Sequence, residues 1–334
     1  MNAVSVEIKR EIDKAKSIIL HCHPSPDPDS VGSVLAMKFG LEQLGKKVTA
    51  IQGDSEIPNA FMHFPGAGDI VKKNFGQIDL RDFDLFIILD ASSPEMISQI
   101  KIPTFPLSIR TIVIDHHATN KSYADINLID ISSPATALIL FQLFRAWKIN
   151  ITPEIATNLF VGIYTDTGGF RYSPTDYADY RVLQSASELA KIAPDFTKTI
   201  FIMENSNKKE SVYFQALALN SIKTFHNENL VISFVSNKEL KNKNINDDSI
   251  AVHSISNILK SVVGWNIAVS MIEREPNIVK ISCRTRDSQK YDVSKLASAL
   301  GGGGHKVAAG ATLLMPLDSA VKKVVETVKI IYNL

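Results

Sequence analysis

Short runs of Ile, Val and Leu in the first half of the chain lead directly into an aspartate or a histidine. The clearest run is Thr111 to Ile114, which is followed by Asp115-His116-His117. Such runs, separated by helical patterns, are typical of buried parallel strands in an α/β sheet. Because ligands bind outside the carboxyl ends of these strands, the polar residues that follow them are the first candidates for a functional site.

The alternation predicts a doubly wound, mostly parallel α/β domain in the first half of the chain. Its predicted strands are Ser17 to Cys22, Lys47 to Gln52, Asp84 to Leu89 and Thr111 to Ile114. Its predicted helices are Ser30 to Gln43, Ala135 to Trp147 after a Ser132-Ser133-Pro134 cap, and Pro153 to Tyr164.

The second half predicts a smaller α/β unit, with strands at Leu230 to Val235, Asn266 to Glu273 and Ile278 to Arg284. Its predicted helices are Ser249 to Ser261, Val293 to Leu300 and Ser319 to Ile331. At 334 residues the chain is about twice the ~150-residue domain prior. We therefore expect a first domain over 1–190, a helical connector over 191–224 and a second domain over 225–334.

Composition favours a cytoplasmic protein. The two cysteines, Cys22 and Cys283, lie far apart in the sequence, which fits a reducing compartment and no disulfide framework. The apolar stretches are shorter than the ~20 residues that cross a bilayer, and the polar start does not resemble a targeting segment. A net charge of +1 without a strong basic stripe argues against binding long nucleic acid.

The segment after the first predicted strand, His23-x-x-x-Asp27-x-Asp29, has a spacing that suits metal ligands. A tight loop stiffened by prolines can turn His23 and Asp27 toward one ion and Asp29 toward its neighbour. Gly32 and Ser33 are predicted in the first turn of a helix whose N–H groups could face anionic ligands. Taken alone, this segment would fit a proline-rich surface turn with capping aspartates.

Further acids and histidines follow other predicted elements. Asp90 ends an apolar strand, where a single aspartate often caps the next helix. If the chain stays extended after Asp115, His116 and His117 point in opposite senses, and only one is expected to bind metal. Asp166 precedes a pair of glycines that permit close backbone approach or a helix C-cap. Carboxylates brought together in this way would repel one another without bound divalent cations.

In their order along the chain, these motifs resemble those of the DHH phosphoesterase superfamily. They are His23-x-x-Pro26-Asp27-x-Asp29-x-x-Gly32-Ser33, Asp90, Asp115-His116-His117 and Asp166. A second set resembles the DHHA1 domain of the same family: Cys283-Arg284-Thr285-Arg286, Asp292-Val293 and Gly301-Gly-Gly-Gly-His305-x-x-Ala308-Ala309-Gly310. The length and the GGGGH type of second domain are most similar to the bifunctional oligoribonuclease and pAp phosphatase group.

The resemblance implies a site for two divalent ions. The implied ligands are His23 and Asp27 for one ion, Asp29 and His116 for the other, and Asp90 and Asp166 shared. Mixed carboxylate and imidazole ligands suit Mn²⁺, with Mg²⁺ as the weaker alternative. Two such ions roughly 3.5–4 Å apart can activate a shared water as the nucleophile. Asp115 would orient its neighbours, and His117 would contact the scissile phosphate or protonate the leaving oxygen.

The second domain is expected to bind substrate. The N–H groups of Gly302, Gly303 and Gly304 can form an anion-binding nest beside His305. Arg284 can grip a phosphate with its planar guanidinium, and Arg286 is a weaker candidate. The alternative interpretation of the glycines is a flexible loop between a helix and a strand.

Together these features predict a metal-dependent phosphohydrolase that acts on very short RNA oligonucleotides and 3′-phosphoadenosine 5′-phosphate (pAp). Linear dinucleotides are expected as related substrates, with no membrane partner, and a homodimer is compatible with this hypothesis. Two alternatives stay open: the same site acting on polyphosphate or pyrophosphate, and a non-catalytic nucleotide sensor with the same fold. The complete ligand set argues against the sensor.

Overall fold

The computed structural model describes residues 3–171, 180–193, 195–246 and 252–334. The chain forms two compact units, of which the first reaches Ser206 and the second begins at Asn207. Ser249, where a predicted helix begins, lies outside the described residues. In the part of the chain that is described, no helix is both long enough and apolar enough to cross a membrane.

The first unit alternates strands and helices. Its strands are β1 (Ser17–His21), β2 (Lys47–Ile51), β3 (Leu85–Leu89), β4 (Arg110–Asp115) and β5 (Ile126–Ile129). Its helices are α1 (Ala3–Lys14), α2 (Pro28–Gln43), α3 (Thr136–Ala146), α4 (Pro153–Asp166), α5 (Tyr180–Ile192) and α6 (Phe196–Glu204). Of these elements, α1 and β5 are absent from the sequence prediction, which places a strand or helix at each of the other positions up to α4.

The strands of the first unit form a parallel sheet in the order β2-β1-β3-β4-β5. Strand β1 therefore lies between β2 and β3, and the direction of winding reverses between β1 and β3. In open sheets of this kind the ligand crevice lies at the reversal, outside the carboxyl ends of the strands. The predicted α/β class with a parallel sheet is confirmed.

Side chains of β1 enter two apolar clusters on opposite faces of the sheet. Ile18 and Leu20 face the larger cluster, to which α1 to α6 contribute side chains. Ile19 faces a smaller cluster around Phe86. Short 3₁₀ turns and loops cover that second face, so the described helices of this unit pack on one side of the sheet.

Helices α2 and α4 approach each other closely because each presents a glycine to the other. A Cβ atom on Gly32 would lie 2.5 Å from the carbonyl oxygen of Asn158. A Cβ atom on Gly162 would lie 2.4 Å from Oδ1 of Asp29. Larger side chains at either position would separate the helices and displace the Asp29 carboxylate.

The predicted position of Gly32 in the first helical turn is wrong. Helix α2 begins at Pro28, with Asp27 as its N-cap, so Gly32 lies beyond the turn whose N–H groups lack helical partners. Gly32 therefore serves the packing of α2 on α4. Ser33 donates a long hydrogen bond of 3.4 Å to Oδ1 of Asp29.

The second unit contains a mixed sheet. Its strands are β6 (Lys223–Phe225), β7 (Leu230–Val235), β8 (Ile267–Glu275), β9 (Ile278–Thr285), β10 (Gly303–His305) and β11 (Ala308–Leu314). Its helices are α7 (Lys209–Asn220), α8 (Asn237–Asn242), α9 (Val252–Lys260), α10 (Val293–Ala299) and α11 (Leu317–Tyr332). The segment 191–224, expected as a connector, contains α6 in the first unit and α7 and β6 in the second.

The strand order in this sheet is β10-β11-β9-β8-β7-β6, with β7 and β8 parallel and the other pairs antiparallel. Helices α10 and α11 pack on one face around an apolar cluster. Helices α7 and α9 pack on the other face, where α9 lies against β8 and β9. Cys22 and Cys283, one in each unit, are both buried and unpaired.

Candidate metal centre

Three predicted ligands meet outside the carboxyl ends of β1, β3 and β4. His23 follows β1, Asp90 follows β3 and His116 follows β4. The Asp90 Oδ2 atom lies 3.4 Å from His23 Nε2, and Asp90 Oδ1 lies 3.4 Å from His116 Nε2. His23 Nε2 also lies 2.5 Å from the Asp90 carbonyl oxygen. The two oxygens of one buried carboxylate therefore face two histidines from different strands.

Asp27 has two contacts of different kinds. Its Oδ1 accepts the Ser30 N–H at 2.8 Å and so caps α2, while its Oδ2 lies 3.3 Å from His23 Nδ1. The predicted cap and the predicted contact with His23 thus coexist in one side chain. His23, Asp27 and Asp90 place one potential ligand atom each within 4.8 Å of one another.

A second group joins Asp29, His116 and Asp166, with potential ligand atoms that also lie within 4.8 Å of one another. His116 Nε2 is 3.4 Å from Asp166 Oδ2. One group contains His23 and Asp27 and the other contains Asp29 and His116, which are the two expected pairs. Asp90 lies beside both His23 and His116. Which of these residues bind metal remains a prediction.

Asp29 is held by the amino end of a different helix. Its carboxylate accepts the N–H groups of Thr136 at 2.7 Å and Ala137 at 3.0 Å, at the start of α3. The N-cap residue of α3 is Ala135, whose side chain cannot cap. The predicted cap at 132–134 is therefore wrong: the carboxylate from α2 takes its place, and the positive end of the α3 dipole faces the cluster.

Asp90 has a left-handed backbone conformation, with φ of 62°. This conformation is uncommon for residues other than glycine and is frequent at functional sites. The Asp90 Oδ1 atom accepts the Thr136 hydroxyl at 2.9 Å, and among the described helices none is capped by Asp90. The alternative interpretation of Asp90 as a helix cap is therefore wrong.

Asp115 is buried, and hydrogen bonds occupy both of its carboxylate oxygens. Oδ1 lies 2.7 Å from His117 Nδ1 and accepts the His116 N–H at 2.8 Å. Oδ2 accepts the Asn120 side-chain amide at 2.7 Å. Although Asp115 lies close to Asp90 and both histidines, its contacts are those of a residue that orients its neighbours.

The condition under which His116 and His117 would point in opposite senses is not met. Strand β4 ends at Asp115, so the chain is no longer extended at the two histidines. Their ring centroids lie 4.3 Å apart, with an angle of 53° between the planes. Both rings therefore lie on the same side, beside Asp90.

The glycines after Asp166 form a helix C-cap, which confirms one of the two interpretations open for them. Gly168 N–H donates to the Thr165 carbonyl at 2.9 Å, and Gly169 N–H donates to the Tyr164 carbonyl at 2.7 Å. Both glycines have positive φ, and Gly168, directly after the C-cap residue Thr167, is the one for which this Schellman geometry requires it. The cap ends α4 directly after Asp166, which leaves that side chain at the end of the helix beside His116.

The electrostatics of the cluster indicate excess negative charge. Desolvation and the neighbouring Asp90 raise the pKa of Asp29 to about 7, and desolvation with the charges of Asp29 and Asp90 raises the pKa of Asp166 well above its usual range. Burial alone would lower the pKa of His23 and His116, but the carboxylates around them, above all Asp90, raise both to about 9. Bound cations would replace the protons that compensate these carboxylates.

The donor set fits a divalent metal. His116 Nε2 is buried and has no hydrogen-bond partner among the described residues, although it lies between Asp90 and Asp166. A buried imidazole nitrogen without a partner is costly unless it has a ligand. Imidazole nitrogens combined with carboxylates suit a first-row divalent ion.

In the second unit, the predicted substrate residues share one face of the sheet. Arg284 on β9 pairs with Ala308 on β11, which pairs with His305 on β10. Cross-strand partners point to the same face, and two strand spacings separate Arg284 from His305 by roughly 10 Å. This is the face on which α9 packs, because Oδ1 of Asn257 on α9 accepts a hydrogen bond from Arg284 Nε at 3.1 Å.

The floor between Arg284 and His305 is made of small residues. In the adjacent row, Ser282 pairs with Gly310, which pairs with Gly303. Besides its bond to Asn257, Arg284 donates a hydrogen bond from Nη1 to the Ser282 hydroxyl at 3.2 Å. This face therefore combines a braced guanidinium, an imidazole and a shallow surface between them.

The predicted N–H nest of the tetraglycine is not formed. Gly301 and Gly302 donate to the carbonyls of Ser298 and Ala297 at the end of α10, and Gly303 and Gly304 belong to strand β10. The alternative interpretation of the four glycines as a flexible loop is also wrong, because these hydrogen bonds and strand β10 hold the segment in place. Substrate binding by Gly302, Gly303 and Gly304 therefore requires contacts other than a nest.

Steric fit separates the glycines by role. A Cβ atom at Gly302 would lie 2.1 Å from the Gly310 carbonyl oxygen, and one at Gly304 would lie 2.5 Å from Ala309 Cα. A Cβ atom at Gly303 would meet nothing within 4 Å. The fold requires glycine at 302 and 304, whereas at 303 it leaves open space on the sheet face.

Arg286 has a structural role. Its Nη1 donates to three carbonyls at the end of α9, those of Lys260 at 2.9 Å, Ser261 at 3.1 Å and Val262 at 3.4 Å. Positive charge is favourable at this end of a helix. Of the two arginines, Arg284 is the one that lies beside the small-residue face.

Four residues that contact the candidate site residues escaped the sequence analysis: Thr136, Asn120, Asn257 and Ser282. The hydrogen bonds of Thr136 and Asn257 reach across the fold, and that of Asn120 depends on the path of a loop. Ser282 lies two residues before Arg284 on β9, so the alternation of the predicted strand could have placed both on one face. One signal was present at the start of α3. An alanine at the N-cap position indicates that another part of the chain must satisfy the first N–H groups.

Comparisons with known proteins agree with this geometry. Residues 17–163 match the family model described as DHH family, N-terminal domain, and residues 227–331 match the DHHA1 domain. The bifunctional oligoribonuclease and PAP phosphatase NrnA of Thermus thermophilus is 29% identical over 318 residues, covering 93% of this chain and 89% of the relative. The protein of the same name from Bacillus subtilis is 25% identical over 323 residues, covering 93% of each.

Among solved structures, an exopolyphosphatase-related protein from Bacteroides fragilis has the same fold. The TM-score is 0.84 at 22% sequence identity, and the match covers 99% of this chain and 98% of that one. The two domain matches, in order and together with the acids and histidines at the strand ends, show that the chain belongs to the DHH family of phosphoesterases and carries a DHHA1 domain after its DHH domain.

Proposed function

We propose that this protein hydrolyses very short RNA oligonucleotides and pAp, with linear dinucleotides as related substrates. The observation that carries the proposal is the position of Asp90, whose two carboxylate oxygens face His23 and His116. It links two groups of three potential ligands, as a site for a pair of ions requires. The substrate classes come from the names of the relatives, oligoribonuclease and PAP phosphatase.

We propose Mn²⁺ as the resident ion at both positions. His23 and Asp27 would hold one ion, Asp29 and His116 would hold the other, and Asp90 and Asp166 would be shared. Mg²⁺ is a weaker candidate because it prefers oxygen ligands, and this set contains two imidazoles. When bound, a pair of such ions activates a water for attack on phosphorus and neutralises the phosphoryl oxygens.

His117 is proposed to protonate the leaving oxygen. Its Nδ1 faces the buried Asp115 carboxylate, which cannot donate while ionised, so the ring proton lies on Nδ1 in the neutral tautomer. Nε2 is then the nitrogen directed away from Asp115, and a proton carried there can pass to a ribose oxygen. Asp115 supports the charged imidazolium at that stage.

The second unit is proposed to recognise the substrate. Arg284 would grip a phosphate with its guanidinium, and His305 would contact a second group roughly 10 Å away. The floor of Ala308, Gly310 and Gly303 leaves room for a flat nucleoside between them. A site with one braced arginine suits short substrates better than long nucleic acid.

We expect the enzyme to work in the cytoplasm, because two buried unpaired thiols fit a reducing compartment.

The test is hydrolysis by the pure protein with Mn²⁺ over a panel of phosphate esters. The panel contains pAp, di- to pentaribonucleotides, cyclic dinucleotides, pyrophosphate and polyphosphate, and Asp90→Ala protein is the control for contaminating activity. We expect turnover of pAp and the shortest oligonucleotides. Turnover of only pyrophosphate or polyphosphate would replace the proposal with the other hydrolase, and tight nucleotide binding without turnover would replace it with a sensor.

A further inference from the structure

Asn120 connects two loops of the metal centre through its side-chain amide. Its Nδ2 donates to Asp115 Oδ2 at 2.7 Å and to the Ala91 carbonyl oxygen at 3.1 Å. Its Oδ1 accepts the Ser122 N–H at 2.8 Å, so the orientation of the amide is set by a third contact. The side chain thus joins the end of β4 to the residue after Asp90.

These bonds control the rotation of the Asp115 carboxylate. Asp115 is fully buried, and its Oδ1 is hydrogen-bonded to both the His117 ring nitrogen Nδ1 and the His116 N–H. The Asn120 amide donates the hydrogen bond to the other oxygen, Oδ2. A buried carboxylate oxygen that loses its donor is costly, so without Asn120 the carboxylate would turn toward other donors.

We propose that Asn120 is a positioning residue that keeps the Asp115 carboxylate directed at His117 and thereby sets the imidazole for proton donation to the leaving oxygen. The inference rests on the proposed function, because it presumes that His117 has this role. It extends the Asp115-His117 pair to a chain of three residues, in which the amide fixes the carboxylate and the carboxylate fixes the ring.

Tyr123 provides a matched control. Its hydroxyl donates to the same Ala91 carbonyl at 3.0 Å that Asn120 reaches, but among the described residues no hydrogen bond joins it to the Asp115 carboxylate. Tyr123→Phe therefore weakens the attachment of the loop after β3 and leaves the bond to Asp115 intact. A purely structural role of Asn120 at Ala91 would make the two variants behave alike.

The experiment compares two esters that differ in the need for a proton. One is a diribonucleotide, whose ribose leaving oxygen must be protonated, and the other is the p-nitrophenyl ester of a nucleoside 5′-phosphate, whose leaving group departs as the anion. We expect Asn120→Ala and Asn120→Asp to lower kcat on the dinucleotide by about 10²-fold, the lower end of general acid catalysis, and to change kcat on the p-nitrophenyl ester less than about threefold. Tyr123→Phe should match the wild type on both esters, and bound metal should be equal in all proteins.

Equal loss on the two esters, or the same selective loss in Tyr123→Phe, would overturn the proposal and leave Asn120 as scaffold. If Asn120→Ala fails to fold, Asn120→Gln is measured, since it retains the donor on a longer side chain. The proposal then requires that Asn120→Gln lower kcat more on the dinucleotide than on the p-nitrophenyl ester. Failure of the proposed function gives a different result, because the wild type would then hydrolyse neither ester.

Discussion

Arg284 and Arg286 lie two residues apart and carry the same charge, yet the structure predicts opposite consequences of their removal. Arg284 is braced by Asn257 and Ser282 beside the small-residue face. Arg286 donates to the last carbonyls of α9. Substituting each by alanine separates substrate binding from stability within one short segment.

Arg284→Ala should weaken substrate binding. A charge-assisted hydrogen bond to phosphate is worth ~1.5–3 kcal/mol, which corresponds to about one to two decades in KM if ground state and transition state lose the same contact. The loss should be largest for pAp and the dinucleotide, because short substrates have few other contacts. Stability should change little, since the exposed Asn257 side chain can bind water instead and the buried Ser282 hydroxyl keeps its hydrogen bond with Ser256.

Arg286→Ala should destabilise the second unit. The variant leaves the carbonyls at the end of α9 without their cationic partner, for which we expect a cost of ~1–2 kcal/mol in the free energy of unfolding. For a domain of this size the cost lowers Tm by several degrees. KM should stay at the wild-type value, because the guanidinium hydrogen bonds of Arg286 to described residues all reach the end of α9.

The assay measures kcat/KM for wild type and both variants on pAp, a dinucleotide and a pentanucleotide. Thermal unfolding and metal content are measured on the same preparations. Unchanged kinetics in Arg284→Ala on all three substrates would refute substrate binding through this guanidinium. A rise in KM for Arg286→Ala equal to that for Arg284→Ala would show that the two arginines are not separated as the hydrogen bonds indicate.

Further predictions concern the metal centre and the glycines. Exhaustive chelation should abolish hydrolysis and Mn²⁺ should restore it better than Ca²⁺; activity without bound metal would contradict the two-ion proposal. Because the pKa values of His23 and His116 are raised to about 9 and both must be neutral to bind metal, ion binding at pH 7 should release protons and should tighten as pH rises toward 9, as calorimetry in buffers of different ionisation enthalpy can measure. Asp90→Ala should lower kcat by at least ~10³-fold, and near-normal turnover would remove Asp90 from the centre. Gly303→Ala should retain the wild-type Tm while weakening substrate binding, whereas Gly302→Ala, with its Cβ 2.1 Å from a backbone oxygen, should lower Tm; equal Tm values would contradict this difference.

The α/β class, the parallel strands and most of the candidate ligands can be predicted from the amino-acid sequence. Strand and helix periodicity are local properties, so runs such as Thr111 to Ile114 predict their own structure. The carboxyl ends of parallel strands meet at one edge, so the residues that follow them can be grouped without knowing the strand order. The motif spacing around His23, Asp27 and Asp29 was sufficient to suggest which side chains lie together.

The arrangement of these groups depends on contacts between elements that are distant in the sequence. The strand order places β1 beside β3 and β3 beside β4, and this sets Asp90 between His23 and His116. The cap that Asp29 provides to Thr136 spans 107 positions, and no local pattern encodes a contact between helices so far apart in the chain.

The same limit applies to the second unit. The sequence marks Arg284, Arg286 and the glycines equally, because charge and the lack of a side chain are visible in a sequence. Their separation into a braced arginine, a helix cap and an unconstrained glycine at position 303 depends on which side chains and backbone atoms lie against each position. Packing between elements determines those neighbours, and packing is a property of the assembled fold.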